Sequence, residues 1–361
     1  MSKLHDLHQL GQSLWLDNIS RAILDDGTMK EYVDEFEITG LTSNPSIFDK
    51  AISGSDAYDK AISDQAKSAK SPEALFIELA LEDLRRAAEL FKPVFNRSKT
   101  MDGWVSMEVS PLLAAETKGS IAAARQIHDQ AATENLLVKI PGTPEGVPAI
   151  EESIFNGIPI NVTLLFSAEQ YLASAHAYLR GIERRIEAGR DPVVRSVASL
   201  FVSRWDKASE DELPEELHNK LGIAIAQRTY RAYRELLASP RWTKLVDAGA
   251  QPQRLLWAST GTKDPKASDT LYIEALAAPD TINTIPEKTL RAFADHGKVG
   301  APMAEDGGDC ETMLKKMSEA GVDIDALAKR LQKEGAESFV ESWNHLLAGV
   351  ADKAKALGGN H

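Results

Sequence analysis

Val105-Ser106-Met107-Glu108-Val109 alternates strictly between apolar and polar side chains, and Leu136-Leu137-Val138-Lys139-Ile140 closes on the same alternation. Side chains two apart lie on one face of a β-strand, so Ser106 and Glu108 share a face and the apolar residues share the other. Val138 and Ile140 likewise leave Lys139 opposite them. In Ile158-Pro159-Ile160-Asn161-Val162-Thr163-Leu164 the apolar set leaves Asn161 and Thr163 together. Thr42 and Asn44 share a face at the end of an earlier segment, and Ser199 and Ser259 hold matching late positions in two later ones. Strands of this kind need helices against the apolar face and an enclosed polar interior on the other, which a closed parallel barrel provides.

Working outward, eight short segments rich in branched and apolar residues qualify as strands: Ser13–Leu16, Glu37–Thr42, Trp104–Val109, Leu136–Ile140, Ile158–Leu164, Val193–Val202, Arg254–Ser259 and Thr281–Ile285. Helical stretches separate them. Ser71-Pro72-Glu73 reads as an N-cap followed by proline at the first helical position. Beyond it Ile77, Leu81, Leu84, Ala88 and Phe91 form one stripe. Ser167-Ala168-Glu169-Gln170 reads as a capping box, and Gly189 as the stop of its helix. Another helix is expected from about Leu217 to Leu237, after an acidic surface loop at Glu210–Glu216. Strand–helix alternation along the whole chain predicts an α/β fold with a parallel sheet, specifically a (β/α)8 TIM barrel with additional N- and C-terminal helices. Residues 1–361 are expected to form a single domain. Its C-terminal extension from about residue 295 starts with a Gly-rich loop, and helical patterns follow around Ile324–Leu331 and Phe339–Val350.

Composition narrows the function. The chain has 361 residues, 43% of them hydrophobic and 26% charged, which suits a soluble barrel. A net charge of -13, from 41 Lys and Arg against 54 Asp and Glu, opposes a broad footprint on nucleic acid or an anionic membrane. It leaves room for phosphorylated small molecules, which two or three local cations can hold. The one cysteine, Cys310, allows no intrachain disulfide. The N-terminus lacks the apolar core of a signal peptide and no run approaches membrane-span length, so a cytoplasmic enzyme is expected. Neither GxGxxG nor GxxxxGK[ST] is present, and no histidine pair has metal-ligand spacing, so neither a metal nor another cofactor is expected.

The inward polar residues carry the chemistry. A buried carboxylate and ammonium are expensive unless paired or used. Lys139 and Glu108, or Lys139 and Asp17, could simply neutralise each other in an inert core. A whole set converging from several strands instead fits a barrel enzyme, whose reacting groups stand at the C-terminal ends of strands. Lys139 is the candidate reactive centre, because a Schiff-base lysine must spend time as the free amine and its apolar flanks favour that form. Glu108 and Asp17 are two acids whose environments could divide acid and base roles.

These residues and their flanks resemble the transaldolase family, in its longer bacterial form within the class I Schiff-base aldolases. Seven stretches carry the resemblance, in order: Trp15-Leu16-Asp17-Asn18-Ile19-Ser20-Arg21, Gly40-Leu41-Thr42-Ser43-Asn44-Pro45-Ser46-Ile47-Phe48, Val105-Ser106-Met107-Glu108-Val109, Val138-Lys139-Ile140-Pro141-Gly142-Thr143, Ile160-Asn161-Val162-Thr163-Leu164-Leu165-Phe166-Ser167, Ala198-Ser199-Leu200-Phe201-Val202-Ser203-Arg204 and Trp257-Ala258-Ser259-Thr260-Gly261. The resemblance implies reversible transfer of dihydroxyacetone from a ketose phosphate, sedoheptulose 7-phosphate or fructose 6-phosphate, to an aldose phosphate, in the non-oxidative pentose phosphate pathway. It implies that Lys139 forms the Schiff base, that Glu108 shuttles protons with a water near Thr163, and that Asp17 takes the C4 hydroxyl proton. It further implies that Asn44, Asn161 and Ser199 meet the sugar and that Arg204 binds the phosphate. An ion pair with Asp206 is the alternative use of Arg204. Shorter members carry a second arginine after the alanine–serine pair of the seventh strand. Here Ser259 and Lys263 stand in that region, Lys263 as a point charge in its place. The partners implied are sugar phosphates, with a homo-oligomer left open. Three rivals stand against it: a Schiff-base aldolase that releases free dihydroxyacetone, a catalytically silent barrel, and a metal-dependent barrel hydrolase, for which the sequence offers no ligand cluster.

Overall fold

The computed structural model describes residues 3–65 and 71–357. Eight parallel strands form the centre: β1 Ser13–Leu16, β2 Gly40–Leu41, β3 Val105–Glu108, β4 Leu136–Pro141, β5 Ile160–Leu165, β6 Ser196–Phe201, β7 Gln253–Ala258 and β8 Thr281–Ile285. Their order in the sheet is β2-β1-β8-β7-β6-β5-β4-β3. A parallel bridge between Gly40 and Trp104 joins the two ends, so the sheet closes on itself. Leu41 N donates to Trp104 O at 2.9 Å and Gly103 N to Thr39 O at 2.7 Å. A Cβ on residue 40 would lie 2.7 Å from Trp15 Cε2 and 2.8 Å from Trp104 O, so only glycine lets the edges meet. The architecture is the expected (β/α)8 barrel with added terminal helices.

The eight segments sit where alternation places them, four with ends shifted by one or two residues and two trimmed by four residues each. Of Glu37–Thr42 only Gly40–Leu41 is strand. Glu37 takes a left-handed φ of 55°, and Ile38 N turns back to Tyr32 O, so the chain is still leaving a helix there. Val193–Val202 shortens to Ser196–Phe201, because Val194 N closes a turn onto Pro192 O. β5 carries a bulge: its pairing with β6 shifts between Val162 and Leu165, and Leu164 has φ 58°. An extra residue there bends the strand end and frees a carbonyl from the ladder.

Helices cover the outside. Ser71 caps the 26-residue helix Pro72–Arg97 by accepting from Ala74 N at 3.1 Å. Ser167 accepts from Gln170 N at 3.2 Å, but Gln170 Oε1 takes Phe166 N at 2.7 Å instead of the capping residue's own N–H. Gly189, at φ 65°, follows the end of that helix as expected. A short helix, Ser203–Ser209, follows β6, and the helix expected from about Leu217 starts at Leu221, four residues later than the pattern suggests. The Gly-rich loop is shorter than expected, since the helix Glu287–His296 runs into it. An additional helix, Cys310–Glu319, follows the loop.

The two tail patterns are one continuous helix, Ile324–Leu357. Its buried residues Ala328, Gln332, Gly335, Phe339, Trp343, Leu346 and Val350 recur at three- and four-residue steps, one stripe along one side. Gln332 Nε2 donates to Gly142 O at 3.0 Å and to Leu164 O, the carbonyl at the β5 bulge, at 2.9 Å. The helix thus lies against the C-terminal ends of β4 and β5, where barrel enzymes hold their sites. Among the described residues no helix is long and apolar enough to cross a membrane.

Candidate active site

A cleft of about 120 Å³ opens at that end of the barrel. Asp17, Thr42, Asn44, Lys139, Thr163, Ser199, Arg204, Ser259 and Lys263 line it, together with Phe201, Thr284 and Phe339. Eight of the ten candidate residues read from the sequence therefore share one surface. The other two stand just beneath it. Glu108 and Asn161 are the register partners of Lys139 on β3 and β5, and both are buried. A larger cleft of about 540 Å³ lies among His5, His8, Thr39 and Arg97. Thr39 precedes β2, so that cleft opens at the opposite end of the barrel, where conserved features of this fold serve stability.

Lys139 is 5% exposed, and its Nζ donates to Ser43 O at 3.0 Å. Glu108 Oε2 lies 3.4 Å away and finds no donor in hydrogen-bonding geometry. Burial pushes the Glu108 carboxyl above the ordinary glutamate value, against the pull of Lys139. Thr163 Oγ1 is also buried without a partner, so two unspent polar atoms accompany the amine.

Asp17 follows β1 directly and is half-buried. Its Oδ1 accepts from Thr42 Oγ1 at 2.8 Å, and Thr42 Oγ1 is 2.6 Å from Thr284 Oγ1. Burial raises the Asp17 carboxyl too, opposed by Lys139, by the Thr42 hydrogen bond and by Lys263. Burial therefore raises both carboxyls above their ordinary values, so each holds a proton more readily than an exposed acid does.

The amides are oriented by their own bonds. Asn44 caps the helix Pro45–Ser53, its Oδ1 accepting from Ile47 N at 3.0 Å, which leaves Nδ2 as the group for a ligand. Asn161 Nδ2 donates to Ser106 Oγ at 3.1 Å and its Oδ1 accepts from Ser199 Oγ at 2.8 Å. Ser259, at a left-handed φ of 55°, sits 2.9 Å from Ser203 Oγ.

Arg204 makes no ion pair among the described residues. Asp206, the alternative partner, accepts from Leu221 N at 2.9 Å and from Tyr272 OH at 2.7 Å instead. The guanidinium lies 5.3 Å above the Phe201 ring and 5.9 Å from that of Phe339, which holds its plane without using its donors. Burial lowers its pKa, partly offset by Glu334. Lys263 is exposed at the rim and likewise carries no ion pair. Two uncommitted cations at one mouth suit a phosphate. Among the described residues no three His, Cys, Asp or Glu side chains gather as metal ligands would.

Sequence reasoning passed over Phe201, Thr284 and Phe339. Alternation could have found the first two, since Phe201 lies two residues beyond Ser199 and Thr284 lies inward on β8. Phe339 gave no local signal; the helix Ile324–Leu357 brings its ring within 5.7 Å of Lys139 Nζ.

Residues 14–350 match the family model described as transaldolase/fructose-6-phosphate aldolase. A transaldolase of Thermobifida fusca is 42% identical over 98% of this chain and 99% of its own. One of Thiobacillus denitrificans is 42% identical over 97% of this chain and 100% of its own. Transaldolase 2 of Nostoc punctiforme is 39% identical over 98% of both chains.

Proposed function

The chain belongs to the transaldolase/fructose-6-phosphate aldolase family and acts as a transaldolase, a transferase, and from that premise we propose how the barrel mouth divides the work. The observation that carries the reading is a buried lysine, Lys139, paired with Glu108 and sharing one cleft with Asp17.

Lys139 Nζ, as the free amine, adds to the C2 carbonyl of a ketose phosphate. Glu108 supplies the proton with which the C2 oxygen leaves as water, passed through a water held near Thr163, and a protonated imine remains. Asp17 then takes the proton of the C4 hydroxyl. The C3–C4 bond breaks, its electron pair moves into the imine as an enamine, and the aldose phosphate departs. The three-carbon unit stays on Lys139 until an aldose phosphate such as glyceraldehyde 3-phosphate or erythrose 4-phosphate arrives. The same steps in reverse form the new C–C bond, return the proton from Asp17 and hydrolyse the imine. Asn44 Nδ2, Asn161 and Ser199 hold the hydroxyls of the bound unit, their orientation already set by neighbours, so no reorganisation is needed at the moment of reaction. Arg204 takes the phosphate in its fork, with Lys263 and Ser259 at its side.

Borohydride trapping with fructose 6-phosphate, followed by peptide mass spectrometry, tests this. The expected product is a reduced, phosphate-free three-carbon adduct on Lys139. No adduct on folded protein would overturn the role of Lys139. An acceptor assay separates transfer from release: free dihydroxyacetone formed at the full rate without acceptor would favour aldol cleavage alone.

A further inference from the structure

In the barrel β1 stands between β2 and β8. Asp17 follows β1, Thr42 follows β2, and Thr284 lies near the end of β8. Asp17 N donates to Ile285 O at 2.9 Å and Thr42 N to Leu16 O at 2.9 Å, so the backbone ladder fixes all three positions. Both threonines line the cleft, and they are 3% and 2% exposed. Their branching at Cβ leaves few rotamers with which to turn the hydroxyls elsewhere.

Thr42 Oγ1 donates to Asp17 Oδ1 at 2.8 Å and lies 2.6 Å from Thr284 Oγ1. A hydroxyl has one proton to give, and an ionised carboxylate can only accept. Thr42 spends its proton on Asp17 and must therefore accept from Thr284. The three groups form a chain with one direction, from Thr284 to Thr42 to Asp17, and it ends on Oδ1. Among the described residues Asp17 Oδ2 takes no hydrogen bond, which leaves it for a ligand.

We propose that Thr284 is a positioning residue for the base, acting through Thr42: the two hydroxyls hold the Asp17 carboxylate by one oxygen and leave the other to take the C4 proton. The inference rests on the role given to Asp17 above and extends it to residues of the two flanking strands. Hydrogen bonds in a chain polarise one another, so the first donor strengthens the bond that the carboxylate receives. Burial raises the Asp17 carboxyl, opposed by Lys139 from β4, the Thr42 bond and Lys263 beyond β7. Those two lysines are the charges that bear on it among the described residues, while β2 and β8 meet it with threonine hydroxyls. Removing the head of the chain should make the base harder to ionise.

Kinetics on the full-length protein test this. Thr284→Val keeps the side-chain shape and deletes the first proton of the chain. The single-turnover rate at which saturating fructose 6-phosphate yields glyceraldehyde 3-phosphate should fall about three- to tenfold at pH 7, the size of one hydrogen bond. The concentration for half-maximal rate should not change, and the acid limb of the rate should move to higher pH. Thr284→Ser should return the limb to its wild-type place. In an Asp17→Asn background Thr284→Val should cost nothing further, because its route to the reaction is already gone. Wild-type kinetics in Thr284→Val, an unmoved limb, a loss confined to half-saturation, or an equal loss beside Asp17→Asn overturns the proposal. Borohydride trapping with dihydroxyacetone, which has no C4, reports the Lys139 steps alone. A matching drop there in Thr284→Val would mean that the whole site is disturbed, and overturns it too. Asp17→Asn by itself tests the premise. An undiminished rate in that variant would sink the role of Asp17, whereas a large loss there beside an unaltered Thr284→Val would sink the chain alone.

Discussion

Lys139 Nζ stands 3.4 Å from Glu108 Oε2 in register across β3 and β4, with both side chains buried. Such a pair cannot be justified as a stabilising device. Desolvation of two ions offsets most of their attraction, and apolar residues of equal volume would serve a core as well or better. What the pair offers is a short path for a proton between an amine that must become a nucleophile and a carboxyl whose hold on its proton is strengthened by burial.

Lys139→Met should abolish the trapped adduct and leave Glu108 alone in the interior. Breaking a buried pair costs about 3–5 kcal/mol while the survivor stays charged. The cost depends on pH. Glu108 in the fold lies above the 4.5 it has unfolded and would rise further without Lys139. The native state then holds a proton that the unfolded chain has lost, so stability falls as pH rises from 4.5 through the native value. The Tm deficit of the variant, measured by thermal scans, should be largest near pH 8 and shrink toward pH 5. A deficit independent of pH would contradict the pairing.

Asp17→Asn should lower kcat by about 10²–10⁴ while raising Tm at pH 7. Burial lifts the Asp17 carboxyl above 3.8, so the ionised form is the one the fold disfavours. That penalty is absent below the unfolded value and complete above the native one. An amide still accepts from Thr42 Oγ1 and carries no charge. The gain in Tm should therefore vanish as the pH is lowered toward 4, and a variant less stable than the wild type at pH 7 would refute the assignment.

Arg204→Lys is expected to be nearly as damaging as Arg204→Ala. The guanidinium carbon lies 5.3 Å from the centre of the Phe201 ring and 5.9 Å from that of Phe339, and an ammonium supplies neither a stacking plane nor the fork. Loss of charge-assisted bonds to a phosphate is worth about 1.5–3 kcal/mol, or roughly 10–100-fold in KM for fructose 6-phosphate. Lys263→Ala, at an exposed rim, should cost only a few-fold and show the steeper salt dependence. Steady-state kinetics with fructose and fructose 6-phosphate decide it: equal losses on both substrates would remove the phosphate from the argument.

The floor of this site was legible because strand alternation is local. Ser106, Glu108, Lys139, Asn161 and Thr163 could be assigned to one interior from residue order alone, and the barrel places them there. The roof was not. Gln332, Gly335, Phe339 and Trp343 lie on an amphipathic helix whose pattern states only that one side is buried. Nothing in a helical period tells what that side is buried against. The same limit hid the short β2, where a left-handed Glu37 ends what composition presents as a longer strand. It also hid the fate of Asp206, which caps a helix beginning fifteen residues later.

Gly335→Ala probes that roof most sharply. A Cβ on residue 335 would lie 3.0 Å from Leu164 Cδ2 and 3.3 Å from Arg204 Nη1. Alanine is the better helix former by about 1 kcal/mol, so the substitution should not unravel the helix itself. The conflict is instead with its seat: either the guanidinium moves or the helix lifts from the β5 bulge where Gln332 pins it. These outcomes differ in kinetics. Displacement of Arg204 alone raises KM for phosphorylated donors and leaves the trapping rate at saturation intact. Lifting the helix also carries Phe339 away from Lys139 and lowers that rate. The short reach to Arg204 and the two hydrogen bonds of Gln332 favour the first. A several-fold rise in KM with unchanged saturated trapping is therefore expected, and kinetics indistinguishable from the wild type would mean that the helix does not press on the site as closely as 3.3 Å requires.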